Sequence, residues 1–161
     1  MKELVLIRHA KSSWELNVED CNRPLTKKGI ERIKKIVLSS PDVFSSTDVI
    51  YSSNANRATH TTLIMVNALS IPLDKVNITK ELYTFEISKL AYFIKNIPNT
   101  FKRVICIGHN PAFTEAISYF SKDFLSHLPT SGWAKLEFKQ SKWAEIADGN
   151  LTLGIPKQIL K

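Results

Sequence analysis

Arg8 and His9 stand at the end of the apolar run LVLI, and a second histidine, His109, follows the apolar run VICIG. A third run, DVIYSS, is followed within a few residues by Arg57. These residue types suit a phosphoryl group. A guanidinium fork matches two phosphate oxygens at once. A neutral imidazole, with an ordinary pKa of about 6.5, is a competent nucleophile at phosphorus near neutral pH. Neighbouring arginines help to keep that imidazole neutral. No metal-ligand spacing accompanies them, so the arginines must neutralise the charge; neither a metal nor another cofactor is expected.

Such chemistry requires elements that bring these residues together. The stretch ELVLIRH reads as a strand covered on both faces. Thr26 reads as the N-cap of a helix over 27–39, with Ile30, Ile33 and Val37 on one face and Pro41 ending it. A second strand, TDVIYSS, leads through Asn54 into a helix whose apolar face includes Leu63, Ile64, Val66 and Leu69, with Pro72 just beyond. A short strand is expected near 76–79 and a helix over 86–97, stopped before Pro98. RVICIG is the third strong strand, and HNP opens a helix with Asn110 as cap and Pro111 at its first position. WAKLEF and KWAEIA alternate around a short turn and predict an antiparallel hairpin. The tail from Asp148 carries no assignment. Alternating strands and helices predict an α/β fold with a mainly parallel sheet. In such a sheet ligands bind outside the carboxyl ends of the strands. Arg8-His9, Ser52-Ser53-Asn54 with Arg57, and Gly108-His109-Asn110 should therefore converge on one pocket.

The 161 residues, 43% hydrophobic and 23% charged, fit one domain over residues 1–161 and argue against disorder or a fibre. No apolar run approaches the roughly 18 residues of a membrane span, and the N-terminal run is too short for a signal peptide. A cytoplasmic location without membrane association is expected. Cys21 and Cys106 form no framework, and Cys106 reads as a small buried hydrophobe. The formal charge of +7 is spread along the chain, with no dense basic block and no nucleic-acid-binding signature. It biases the protein toward anionic partners other than nucleic acid. A monomer is expected.

At this point the segments LIRHAKSSW, RPLTKKG, SSNANRATHT, ELY and IGHNP matter together. Their identity and order, over residues 4 to 111, resemble the histidine phosphatase superfamily, and within it the short SixA-type phosphohistidine phosphatases. The resemblance implies a three-layer α/β/α sandwich, its mainly parallel sheet carrying an antiparallel strand. It also implies metal-independent catalysis in which His9 is transiently phosphorylated, with Arg8, Arg57 and His109 holding the phosphoryl oxygens and Arg23 near the entrance. Two positions depart from the family pattern. Ala10 stands where glycine is usual, which fits only if the backbone there avoids positive φ. His60 stands where glutamine is commoner, and a surface or supporting role is expected for it.

Several residues keep two readings. Arg23 lies at the substrate entrance or anchors its loop to a carboxylate. Ser12 donates to phosphate or satisfies its own turn. His127 has no evident partner, and the lysines of 27–39 read as a solvated face. The leaving group decides the rest. Expelling an alkoxide, whose conjugate acid has a pKa near about 16, calls for a positioned general acid, whereas imidazole leaves protonated near neutral pH. Glu81, in KELY, is the candidate acid, with Glu15 and Glu86 weaker alternatives; a structural carboxylate is its other reading. A short chain with no large cap insertion favours an open pocket and hence phosphohistidine on a protein as substrate. The alternatives are a phosphomonoesterase for a small phosphorylated metabolite, with Glu81 as acid, and a non-catalytic phosphate- or phosphoprotein-binding domain.

Overall fold

The computed structural model describes residues 1–161. Its six strands are β1 (Lys2–Arg8), β2 (Val49–Ser53), β3 (Val76–Thr79), β4 (Arg103–Gly108), β5 (Trp133–Phe138) and β6 (Asn150–Gly154). They form one sheet in the order β3-β2-β4-β1-β5-β6. The four on the β3 side are parallel, and β5 runs antiparallel to both β1 and β6. The helices are α1 (Lys27–Ser39), α2 (Pro41–Phe44), α3 (Asn56–Ala68), α4 (Ile87–Lys95), α5 (Ala112–Phe120) and α6 (Pro156–Ile159). None is long and apolar enough to cross a membrane.

The period of two along a strand explains the layering. Leu4 and Leu6 of β1 pack with Leu90, Ile94, Phe113 and Ile117 of α4 and α5 on one face. Val5 and Ile7 pack with Ile33, Val37, Met65 and Val66 of α1 and α3 on the other. Burying each aliphatic side chain contributes about 1.5–3 kcal/mol. A run apolar on both faces therefore belongs in the middle of the sheet, and β1 and β4 are neighbours there. The result is the expected α/β/α sandwich.

Thr26 caps α1 as predicted, its hydroxyl accepting from the Gly29 N–H at 2.9 Å. The helix start also presses against the segment after His9: a Cβ at Gly29 would stand 2.4 Å from the Lys11 carbonyl oxygen. Only glycine permits that approach.

The structure corrects several expectations. Pro41 does not simply end a helix; it opens the short α2. The buried face of α3 is Arg57, Ala58, Thr61, Thr62, Met65 and Val66, while Leu63 is half exposed. Arg57 is rotated inward, and the hydroxyls of Thr61 and Thr62 satisfy themselves on the carbonyls of Arg57 and Ala58 at 2.6 and 2.9 Å. Pro111 precedes α5, and Asn110 caps by accepting from the Thr114 N–H and hydroxyl at 3.1 and 3.0 Å. KWAEIA is not a strand. Trp143 is buried, with its backbone N–H on Asn99 Oδ1 and its indole N–H on the Phe101 carbonyl, both at 2.9 Å. The strand paired with β5 is instead β6, from the unassigned tail.

Candidate active site

The end of β1 is fixed on several sides before any side chain acts. The Arg8 N–H donates to Gly132 O at 3.0 Å and the His9 N–H to Gly108 O at 3.1 Å. The Ser131 N–H lies 3.1 and 3.3 Å from the carbonyl oxygens of Arg8 and His9. Gly108 brings β4 close, because a Cβ there would stand 2.7 Å from the Phe113 ring. The Ala10 N–H donates to Thr61 Oγ1 at 3.0 Å, and Thr61 in turn donates to the Arg57 carbonyl. The loop of His9 is thereby tied to the first turn of α3. Ala10 is fully buried and has no positive φ, so its methyl group fits where the family prefers glycine.

Arg8, His9, Ser12, Arg23, Arg57 and His109 all line one cavity of about 320 Å³. Lys11, Trp14, Asp20, Phe85, Asn110 and Thr130 complete its lining. His9 Nδ1 lies 2.7 Å from the Ala10 carbonyl oxygen. A carbonyl only accepts, so Nδ1 carries the proton and Nε2 keeps a free lone pair. Burial presses the His9 pKa down to about 4; the Ala10 bond opposes this and the charges of Arg57, Arg8 and Arg23 add to it. The ring is neutral at pH 7.

His109 lies with its ring centroid 5.2 Å from that of His9. Its Nε2 is 2.7 Å from Ser53 Oγ, which already accepts the Ala55 N–H at 3.2 Å. With the Ser53 hydroxyl donating to Nε2, His109 is the Nδ1–H tautomer and its Nδ1–H is free to donate. Burial, then the charges of His9 and Arg57, lower its pKa to about 3, so the ring is neutral at pH 7. Sequence alone placed Ser53 near the pocket without this task.

The unmet hydrogen bonds point to the ligand. Arg8 Nε, Arg57 Nε and His109 Nδ1 are buried without a partner. Leaving a buried donor unpaired costs about 1–3 kcal/mol. All three belong to residues that line the cavity with His9.

Asp20 is the residue that sequence reasoning missed. Its carboxylate accepts from Arg57 Nη2 at 3.0 Å, from Arg23 Nε at 3.3 Å and from the Tyr83 hydroxyl, while its backbone carbonyl accepts from Arg57 Nη1 at 2.7 Å. Partial burial pushes its pKa up, but the hydrogen bonds from Tyr83 and Arg57 and the Arg57 charge prevail and bring it to about 2. Its signal in the sequence is an acid three residues before Arg23. Arg23 is anchored by Asp20 and also lines the cavity, with its guanidinium 3.5 Å from the centroid of the exposed Trp14 ring. Its Nη1 donates to Ser12 Oγ at 2.7 Å, leaving the Ser12 proton free for a ligand. His127, unassigned from sequence, lies with Nε2 3.3 Å from Arg8 Nη1, and Leu128 O accepts from the same nitrogen at 3.0 Å. His60 is exposed and outside the cavity.

Glu81 does not reach the site. It is exposed in the 3-10 turn Lys80–Leu82, where Thr79 Oγ1 accepts its N–H at 3.2 Å and Leu82 is buried. That turn sends Tyr83 toward Asp20 and leaves Glu81 beside Ser88, Lys89 and Tyr92 in a separate depression. Glu15 and Glu86 are exposed and outside the cavity too, and Glu86 pairs with Lys89 at 3.2 Å.

The depressed His9 pKa of about 4 has a kinetic consequence. Attack by His9 is expected to hold most of its rate at about pH 5, whereas an imidazole titrating at about 6.5 would already have lost roughly thirtyfold there. A pre-steady-state series from about pH 4 to 8, scoring the first chemical step, checks this; loss centred near about 6.5 would show an ordinary histidine.

The model of the histidine phosphatase superfamily (branch 1) matches residues 4–104. A chloroplastic protein of Arabidopsis thaliana, itself uncharacterised, is 28% identical over 153 residues, which cover 89% of this chain and 70% of that one. A crystal structure assigned to the phosphohistidine phosphatase SixA of Agrobacterium tumefaciens is similar, with 26% identity, a TM-score of 0.76, and coverage of 86% of this chain and 92% of that one. The protein histidine phosphatase SixA complexed with tungstate shares the fold at a TM-score of 0.80, with 19% identity and coverage of 99% of both chains.

Proposed function

The chain belongs to the histidine phosphatase superfamily (branch 1) and is a phosphatase of SixA type; from that premise we propose that it hydrolyses phosphohistidine on a protein, with His9 as nucleophile. One observation carries the choice of leaving group. The only carboxylate lining the cavity is Asp20, and its arginine and tyrosine partners hold its pKa near about 2. It is ionised at neutral pH and cannot supply a proton to a departing alkoxide. Imidazole needs no such donor, because it leaves protonated.

In the first step the substrate's imidazole carries a proton on its other ring nitrogen. The His9 Nε2 lone pair forms a bond to phosphorus while the P–N bond of the substrate breaks, its electron pair going to the ring nitrogen, and neutral imidazole departs. Arg8, Arg57 and the His109 Nδ1–H accommodate charge on the phosphoryl oxygens. One P–N bond is exchanged for another, so the step is close to thermoneutral. Water then attacks the phosphorus on His9, the second P–N bond breaks, and inorganic phosphate departs with His9 again neutral.

A positioned general acid accounts for about 10²–10⁴ in rate. The protein is therefore expected to turn over a phosphohistidine peptide at least about a thousandfold faster, in kcat/KM, than glycerol phosphate, with p-nitrophenyl phosphate between them. Phosphate release from the three substrates by the wild type tests this. Equal use of the alkyl ester would favour a phosphomonoesterase for a small metabolite and would sink the phosphohistidine reading.

A further inference from the structure

Outside the catalytic cavity, two depressions are lined mainly by charge, and in one of them the cations outnumber the carboxylates four to one. That one is a groove of about 310 Å³ bordered by Lys11, Lys28, Glu31, Arg32, Lys35 and Leu160. Lys28, Arg32 and Lys35 follow one another at spacings of four and three along α1, so they share one face of that helix. Ile33, Ile36 and Val37, on its other side, are buried. The three cations span about 10 Å at 1.5 Å per residue. No carboxylate lies within 4.0 Å of any of them or of Lys11.

Lys11 borders both this groove and the catalytic cavity, so the two adjoin. Together they carry seven cationic side chains against two carboxylates, Asp20 and Glu31, an excess of five in a chain whose whole excess is seven. The rest of the molecule is close to neutral. A phosphoryl group is already served by the arginines and His109 inside the cavity. The groove therefore addresses what surrounds that group, and the solvated face read from the sequence has a direction.

We propose that the α1 groove docks an acidic protein segment next to the phosphohistidine, its carboxylates engaging Lys28, Arg32 and Lys35 while the phosphoryl group reaches His9. This rests on the phosphohistidine reading above. Three cations over two helical turns suit two or three carboxylates on a facing helix or loop. Nucleic-acid binding draws on longer tracks, with about six to ten phosphate contacts in proteins of strong salt dependence. Glu31 inside the groove also opposes a uniformly anionic backbone. Charge of this kind acts mainly on encounter, raises association by about 10–10³-fold, and is screened by salt.

The test uses two synthetic peptides, each with one histidine phosphorylated by phosphoramidate. One carries glutamates flanking that histidine and the other glutamines. The wild type is expected to show roughly tenfold higher kcat/KM on the glutamate peptide at low salt, with kcat alike and the preference gone at about 0.5 M salt. The triple variant Lys28→Gln, Arg32→Gln, Lys35→Gln should process both peptides as the wild type processes the glutamine peptide. Equal use of the two peptides by the wild type would overturn the docking site alone. So would a triple variant that slows on the glutamine peptide, since the stripe would then be supporting the catalytic site. Failure to use either peptide would remove the phosphohistidine reading and the docking site with it. A mixed-sequence oligonucleotide bound by the wild type and lost by the triple variant, with no peptide preference, would give the groove to nucleic acid instead.

Discussion

His9→Ala is expected to lower phosphohistidine turnover by about 10⁴-fold or more while leaving oxyanion binding within a few-fold of the wild type. In the proposed mechanism the two effects separate, because His9 makes the new bond to phosphorus, whereas the polar atoms left unmet belong to Arg8, Arg57 and His109. Removing the imidazole leaves no other nucleophile with a free lone pair held in the same place. Tungstate titration by calorimetry, beside single-turnover phosphate release, measures both. Turnover that survived the substitution would mean that another group attacks phosphorus; binding lost together with turnover would mean that His9 builds the anion site and does not merely use it.

The same variant should change how stability depends on pH. Unfolded, His9 takes up a proton near the ordinary 6.5; folded, it resists until about 4. Between those values the unfolded chain binds a proton that the folded chain refuses, so stability present above 6.5 is lost as the pH falls toward 4. His109, held near about 3, acts in the same sense. His9→Ala retains only that second contribution and is expected to lose less stability between about pH 7 and 5 than the wild type does, as thermal unfolding at the two pH values would show.

The parts of this molecule legible in its sequence are those set by local pattern. LVLI and VICI are apolar on both faces and could only be central parallel strands, and the polar residues that end them had to lie on one edge. Thr26 needed only its own first turn to be read as a cap. What escaped depends on distant partners. Asp20 opens a 3-10 turn of three residues, too short to show a periodicity, and its place is set by Arg57 and Tyr83, 37 and 63 residues away. Glu81 and Tyr83 occupy one short motif, and the 3-10 turn decides which of them meets the site. KWAEIA has the alternation of a strand, but Trp143 finds its hydrogen bonds on Asn99 and Phe101 and the segment turns there. The true edge strand, NLTLG, exposes most of its residues, so it lacks the apolar signal that marks a buried partner.

Arg57→Lys is the second large effect to expect, and it tells a phosphate-binding arginine from a structural one. Arg57 is about 2% exposed and makes two of its guanidinium contacts to Asp20, so a purely structural reading is available: it could serve only to hold the loop before Arg23. Lysine keeps the charge and can still pair with Asp20, which in any case retains Arg23 and Tyr83. What lysine cannot supply is a planar fork, in which Nη1 and Nη2 rest on Asp20 while Nε, now unmet, remains for a ligand oxygen. Losing one oriented donor to a charged transition state costs about 10²–10³ in kcat. Single-turnover transfer to His9 is therefore expected to fall by about that factor at saturating substrate, with a smaller change in apparent affinity. A structural role would read out differently, as a lowered unfolding temperature with the chemical step intact in the fraction that remains folded. Asp20→Asn sharpens the distinction. It removes the charge that orients Arg57 and keeps the fork, so its loss should be smaller than that of Arg57→Lys if the fork acts on phosphate, and equal or larger if the ion pair itself is what the site requires.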